Sequence, residues 1–219
     1  MDDRWLLARS DLFSAFDEAE LDLVLASARP VQYERNEVLF AEGDEAHHMY
    51  VVRSGRVGVG RRSADGRESL VALMEEGDLF GEMALFDKEP RSASARALET
   101  TWLLSVTYEV VRHCLSARPE LLWDVVSLLA ERLRATDAAL ADAVFLDVTG
   151  RTAKRLLELA GDAEEFALPI TQEELAGLVG ASRERVNKSI AAFVRLGWLQ
   201  QVDRRYRIVQ RDRLAQRAR

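Results

Sequence analysis

The stretch from Leu121 to Val144 constrains this chain more than any other. It runs without Gly or Pro and is rich in Ala and Leu, both strong helix formers. Leu122, Val126, Leu129, Leu133, Thr136, Leu140 and Ala143 recur at alternating spacings of four and three. That is the narrow seam of a coiled coil, not the broader stripe of a helix lying on a core, so a dimer seam is expected. Thr136 is polar within that seam, and the acid Asp137 follows it. A polar seam residue lowers stability unless it sets register or touches something.

The rest of the chain must fit around this helix. At 219 residues there is room for one large or two modest domains. Apolar and charged fractions of 48% and 31% are those of an ordinary globular protein. The single cysteine, Cys114, excludes an intrachain disulfide framework and suits a reducing cytoplasm. The first residues carry acids and no long apolar run, unlike a signal peptide, and no stretch approaches a membrane span. A cytoplasmic location away from membranes is therefore expected. The net charge of −7 hides an asymmetry. Residues 1–146 hold 16 basic and 27 acidic side chains, whereas residues 147–219 hold 14 and 10. From Gly180 onward the count is 11 against 3, which points to a nucleic-acid module at the C-terminal end.

Residues 4–28 read as helical, with Asp17 and Glu20 forming a capping box. From Val31 the period changes to short β-rich runs: 38–40, 50–52, 57–59, 70–74 and 101–106. Gly43, Gly55, Gly66 and Gly77 mark turns eleven or twelve residues apart, and Asp65-Gly66 is a hairpin signal. This spacing predicts an antiparallel roll or barrel. His47-His48 falls in an expected solvated turn. Residues 107–118 read as a short helix ending before Pro119.

The segment 77–95 interrupts the roll. It reads as a loop, one helical turn from Gly81 or Glu82, and a loop returning to a strand at Ser92. Backbone N–H groups at such a start bind anions, and Arg91 offers a fixed positive fork for a phosphate. Glu82 can accept from hydroxyl groups, as a ribose would require.

After the long helix, Thr149-Gly150 interrupts the helical pattern and Asp147 can cap the next helix, near Val148. Thr171 with Glu174 is a capping box, Gly180 ends that helix, and Ser182 caps another. Two short helices joined at a glycine are a helix-turn-helix. The exposed face of the second carries Arg183, Glu184, Arg185, Asn187 and Lys188, which suit base edges: Arg and Lys for guanine, Glu for cytosine. Runs at 198–202 and 206–209 flank Asp203-Arg204-Arg205, a hairpin wing with a basic tip.

Gly81-Glu82-Met83-Ala84 through Arg91-Ser92 resembles the phosphate-binding cassette of cyclic-nucleotide-binding domains. With the roll before it, the long helix, the Phe145–Arg151 hinge and the Ser182–Lys188 motif, the chain resembles the cyclic-AMP receptor protein and FNR family of bacterial transcription regulators, and most resembles its actinobacterial cyclic-AMP receptor proteins. The resemblance implies an α+β fold: a cyclic-nucleotide-binding β-roll domain over residues 1–118, a coiled-coil dimerisation helix and hinge over 119–146, and a winged helix-turn-helix over 147–219. It implies that Glu82 holds the ribose 2′-OH and that Arg91, Ser92 and the amides near Glu82 and Met83 hold a cyclic phosphate. Thr136 would reach the base, Asp137 would contact it across the dimer, and Arg132 is a candidate neighbour. Arg183, Glu184 and Lys188 match base-reading positions; Thr171, Ser182 and Arg185 match phosphate-contacting ones. The implied partners are palindromic double-stranded DNA of the TGTGA…TCACA kind, a second copy of the chain and RNA polymerase.

An enzyme is disfavoured, because His47, His48 and His113 sit in no recognisable catalytic or metal-ligand arrangement. Cys114 alone cannot hold an iron–sulfur cluster, and no haem ligation pattern stands out. No metal is expected. A nucleotide-binding module without DNA function is the alternative from another class, and the helix-turn-helix argues against it. Cyclic AMP is the first choice of effector on family grounds. The Asp137 carboxylate would match the paired N1–H and N2–H donors of guanine better than the adenine amino group, which makes cyclic GMP the second choice. A dimeric guanine nucleotide, or no ligand, is the third.

Overall fold

A computed structural model describes residues 2–62, 68–203 and 205–219. The Asp65-Gly66 turn and Arg204 of the wing tip lie outside the described residues. The chain divides into two compact units, Met1–Leu133 and Arg134–Arg219.

The first unit holds helices α1 (Asp3–Arg9), α2 (Glu18–Ser27), α3 (Met83–Asp87) and α4 (Tyr108–Ala117) around eight strands. These are β1 (Arg29–Tyr33), β2 (Val38–Phe40), β3 (His48–Ser54), β4 (Val57–Arg62), β5 (Glu68–Met74), β6 (Leu79–Phe80), β7 (Ser94–Ala97) and β8 (Thr101–Thr107). They form two antiparallel four-stranded sheets, ordered β1-β8-β3-β6 and β2-β7-β4-β5. Gly43, Gly55 and Gly77 all take positive φ, as the turn period predicts.

Strand alternation decides which core each side chain joins. On β3, Met49 and Val51 join Leu104 and Val106 in a core capped by α1, α2 and α4. The next residue, Val52, faces the other way and joins Leu103, Val57, Phe80 and Ala95 between the two sheets. Val51 pairs with Leu104 and Val52 with Leu103, so each face continues across the register. The Asp17–Glu20 capping box is present at the start of α2.

Helix α5 (Leu122–Phe145) follows a 3-10 turn at Pro119–Leu121. Its first turns correct the expectation of a seam alone. Leu121, Val125 and Leu128 are buried in the helix-capped core. Leu122, Val126, Leu129, Leu133 and Leu140 are exposed. The buried residues each precede a seam residue by one position, so the apolar stripe is wide enough for two partners there. The spacing reading registered its outer half only.

The second unit contains α6 (Val148–Ala160), α7 (Gln172–Val179), α8 (Arg183–Arg195) and α9 (Arg211–Arg217). A three-stranded antiparallel sheet, ordered β10-β11-β9, uses β9 (Glu165–Ala167), β10 (Leu199–Val202) and β11 (Arg205–Ile208). Leu156, Leu175, Val186, Ile190, Phe193, Tyr206 and Leu214 are buried. Thr171 and Glu174 make their capping box, Gly180 ends α7 in the left-handed region, and Ser182 caps α8. Two elements have no counterpart among the sequence expectations. The polar stretch ending at Glu165 leads into β9, held by Phe166 stacking on Tyr206 at 5.7 Å. The Arg-rich tail forms α9, anchored by the fully buried Leu214. No described helix is long and apolar enough to cross a membrane.

The hinge also differs. Thr149 and Gly150 lie inside α6, and the break falls at Leu146-Asp147. Asp147 caps α6 by accepting from the Gly150 N–H at 2.8 Å, and Arg217 Nη2 donates to both of its oxygens at 2.5 Å. A Cβ at Gly150 would stand 3.0 Å from the Arg217 carbonyl oxygen. The glycine therefore serves close approach of α9 rather than a helix break. Arg151 bridges both neighbours, donating to the carbonyls of Leu146 at 2.7 Å and Val179 at 2.9 Å.

The Gly150 N–H, and then Arg217, hold the Asp147 carboxyl below its usual range. Its contribution to stability is therefore complete above the ordinary carboxylate pKa of about 4 and disappears as pH falls through the lower folded-state value. Asp147→Ala should lower unfolding free energy at pH 7 by about 1 kcal/mol, the usual worth of such a cap. Urea unfolding checks this: the gap to wild type should narrow in acid, and a gap independent of pH would contradict the assignment.

Candidate ligand pocket and nucleic-acid interface

The segment between β6 and β7 lines a pocket together with residues of both sheets. Its apolar wall comes from Phe40, Val59, Met74 and Phe80; its polar wall includes Gly81, Glu82, Arg91, Ser92 and Arg132. Met83 and Ala84, at the start of α3, also line it. Seven of the nine residues expected to bind nucleotide thus lie around one pocket. The other two, Thr136 and Asp137, occupy exposed positions of α5 in the second compact unit.

Arg91 organises the polar wall. It is only 7% exposed. Nη1 donates to the Gly81 carbonyl at 2.6 Å and to the Tyr108 hydroxyl at 3.1 Å, and Nη2 donates to the His48 carbonyl at 2.7 Å. The guanidinium lies over the Phe40 ring, 4.1 Å from its centre. Gly81 has φ +77°, and a Cβ there would stand 2.7 Å from Arg91 Nη1, so only glycine leaves the guanidinium its space. Among the described residues no carboxylate pairs with Arg91, and its Nε–H is buried without an acceptor.

Glu82 is fully buried. It precedes α3 but does not cap it. Its Oε1 accepts from Arg132 Nη1, while Arg132 Nη2 donates to the Leu79 carbonyl at 2.6 Å. Glu82 Oε2 has no hydrogen-bond partner. Two guanidinium groups against one carboxylate leave the polar wall with one net positive charge, and Arg91 Nε and Glu82 Oε2 are its buried atoms without a hydrogen-bond partner. Each unmet buried group costs roughly 1–3 kcal/mol, more when charged, until a ligand supplies its partner. The matching ligand carries an oxyanion for Arg91 Nε–H and a hydroxyl for Glu82 Oε2.

Tyr108 and Phe40 escaped the sequence reading. The Tyr108 hydroxyl donates to the Gly81 carbonyl while accepting from Arg91. Burial, with help from Glu82, pushes its pKa up to about 12 against the pull of Arg91. It therefore remains a donor at neutral pH. Nothing local marks it, since it opens a helix 17 residues beyond Arg91. His48 also differs from the solvated turn expected: it starts β3, is half-buried, and its carbonyl holds Arg91.

The second candidate interface lies on α8. Arg183, Glu184, Arg185 and Lys188 are exposed on it. Glu184 and Lys188 pair at 2.7 Å across one helical turn, and that hydrogen bond draws the Glu184 carboxyl below its usual range. These two base-reading candidates thus engage each other. Thr171 and Ser182 use their hydroxyl oxygens as caps, accepting from the N–H groups of Glu174 at 3.2 Å and Arg185 at 3.4 Å. On the wing, Arg205 and Arg207 both pair with Glu165, at 3.1 and 3.0 Å. Thr149, beside the hinge, shares a hydrogen bond of 3.1 Å with Ser189 on α8.

Known proteins share both halves of this arrangement. Residues 30–118 match the cyclic nucleotide-binding domain family, and residues 150–217 match the Crp-like helix-turn-helix domain family. A CRP-like cAMP-activated global transcriptional regulator of Mycobacterium tuberculosis is 39% identical over 98% of this chain and 99% of its own length. FixK2 of Bradyrhizobium japonicum superposes with a TM-score of 0.79 over 86% of this chain and 96% of its own, at 22% identity, which speaks for the fold. The c-di-GMP responsive global regulator CLP of Xanthomonas campestris superposes with a TM-score of 0.75 over 88% of this chain and 99% of its own, at 27% identity. A nucleotide-binding roll and a DNA-binding helix-turn-helix, with a relative matched along nearly its whole length, establish that the chain belongs to the CRP/FNR family of bacterial transcription regulators.

Proposed function

We propose that the chain is a homodimeric transcription regulator whose affinity for palindromic DNA is set by cyclic AMP. The observation that carries the effector class is the buried Arg91 guanidinium, without a carboxylate and with a free Nε–H, beside the free Oε2 of Glu82. A cyclic phosphodiester brings one negative charge, matching the single net positive charge of the polar wall. Its ribose 2′-OH donates to Glu82 Oε2. A dinucleotide would bring two negative charges to the same wall, which favours a mononucleotide. Cyclic AMP takes precedence over cyclic GMP because the Mycobacterium tuberculosis relative is described as cAMP-activated. The Asp137 carboxylate keeps cyclic GMP as the second reading.

The exposed apolar row Leu122, Val126, Leu129, Leu133 and Leu140 supports pairing with a second copy. Thr136 and Ala143 continue that row. In this reading Thr136 meets the base from its own chain and the partner's Asp137 meets it from the other. Nucleotide then biases the hinge at Phe145–Asp147. Arg151, bonded to the Leu146 and Val179 carbonyls, carries that bias into the helix-turn-helix. The paired recognition helices enter successive major grooves about 34 Å apart. Contact with DNA separates Glu184 from Lys188 and gives each a base edge. Thr171, Ser182 and Arg185 approach phosphates, and RNA polymerase is the further partner.

Calorimetry tests the pocket. Cyclic AMP should bind at one site per chain, and Arg91→Gln should weaken it by at least about tenfold, the worth of a hydrogen bond to a charged group. Equal affinities would remove Arg91 from the site. Asp137→Ser should shift preference from cyclic GMP towards cyclic AMP; an unchanged ratio would mean that Asp137 does not read the base.

Gel shift on a palindromic operator tests the other interface. Arg183→Ala should cost about 1–3 kcal/mol per half-site on specific DNA while non-specific binding changes little. An unchanged operator affinity would contradict the role of Arg183.

A further inference from the structure

We propose that Phe40 is a positioning residue for the anion-binding guanidinium. Its ring face carries the uncompensated charge of Arg91 and turns the Nε–H towards the ligand. This deepens the proposed function and rests on it for the identity of the anion.

Burying a cation is costly. A guanidinium that is nine-tenths buried normally needs a carboxylate, because losing water is expensive for a charge. Arg91 has none among the described residues, and an acid there would occupy the place of an anionic ligand. Its edge instead meets two carbonyl oxygens and a phenol hydroxyl. Two stacked rings lie beside its carbon. Phe40 lies at 4.1 Å and Tyr50 at 5.8 Å from the guanidinium carbon. The negative face of an aromatic ring attracts a cation without competing for its N–H groups.

The rings come from both sheets. Phe40 ends β2, while Tyr50 and Phe80 are register partners on β3 and β6. Phe40 stacks on Tyr50 at 6.0 Å, and Tyr50 on Phe80 at 5.5 Å. This stack holds Phe40 in place, with its ring under the guanidinium carbon of Arg91. Acceptors hold Nη1 and Nη2, so Nε is the guanidinium nitrogen left without an acceptor. A leucine at position 40 fills part of the space but presents no π face.

The test compares wild type, Phe40→Leu and Phe40→Tyr by calorimetry with two ligands: cyclic AMP and its uncharged methyl phosphotriester. Phe40→Leu should weaken cyclic AMP by about three- to thirtyfold, the range of a desolvated cation–π contact, while the triester changes less than about twofold. Phe40→Tyr should retain wild-type discrimination. Equal loss for both ligands would mean that Phe40 merely packs against the nucleotide, and no loss would mean that it does nothing for Arg91; either result overturns the proposal.

The Arg91 Nε–H resonance gives a readout that needs no ligand. It should be slow to exchange and shifted upfield by the Phe40 ring current. It should move downfield in Phe40→Leu and stay in place in Phe40→Tyr; a resonance unmoved by Phe40→Leu overturns the positioning role. If wild type binds neither ligand, the cyclic-nucleotide reading fails and this resonance alone decides the role of Phe40.

Discussion

A buried guanidinium without a carboxylate is the constraint on which the first unit depends. Arg91 is tolerable only because the surrounding chain supplies two carbonyls, a phenol and a ring face. Those groups come from β2, β3, the glycine before α3 and the first residue of α4. The roll brings residues from 40 to 108 to one side chain, and no shorter fragment would do so. The same arrangement leaves the site short of one negative charge. The fold thus holds a charge in readiness, and an anion satisfies both the electrostatics and the free Nε–H. Glu82 and Arg132 make the complementary device, a buried carboxylate with one oxygen in use and one spare.

The second unit is organised by hydrogen bonds at helix ends. Asp147 caps α6 and is clamped by Arg217 from the last turn of α9. Arg151 holds the carbonyl that ends the hinge and the carbonyl that ends α7. Lys154 of α6 pairs with Asp142 of α5 at 2.5 Å across the same hinge. The break after Phe145 is therefore a junction defined by ion pairs and caps, and such a junction can hold more than one discrete arrangement. Within this unit the link from hinge to recognition helix is short: Arg151 to Val179 on one side, and Thr149 to Ser189 on the other.

Local chemistry was legible in the sequence where one or two neighbours decide the outcome. The capping boxes at Asp17 and Thr171, the Ser182 cap, the Gly180 terminus and the turns at Gly43, Gly55 and Gly77 all follow from adjacent residues. The Glu82–Arg91 segment was legible as a cassette because its order of residue types is unusual. Features that depend on distant packing were not. Phe40 and Tyr108 reveal nothing until the roll closes on Arg91. Helix α9 hides in an arginine-rich tail because Leu214 is its one fully buried anchor. The buried half of the α5 stripe was missed because Val125 and Leu128 lie outside the seam spacing that drew attention to the helix. Gly150 looked like a helix breaker, although its role is to admit Arg217.

In the proposed mechanism, nucleotide in the roll and DNA on α8 bias one conformational equilibrium. Linkage then requires the effect to be reciprocal, with a coupling of about 5- to 150-fold in affinity for a typical allosteric protein. The most direct measurement is cyclic AMP affinity by calorimetry, with and without saturating operator DNA, beside operator affinity with and without saturating cyclic AMP. Each ligand should tighten the other by the same factor. Cyclic AMP binding that is indifferent to operator DNA would contradict it.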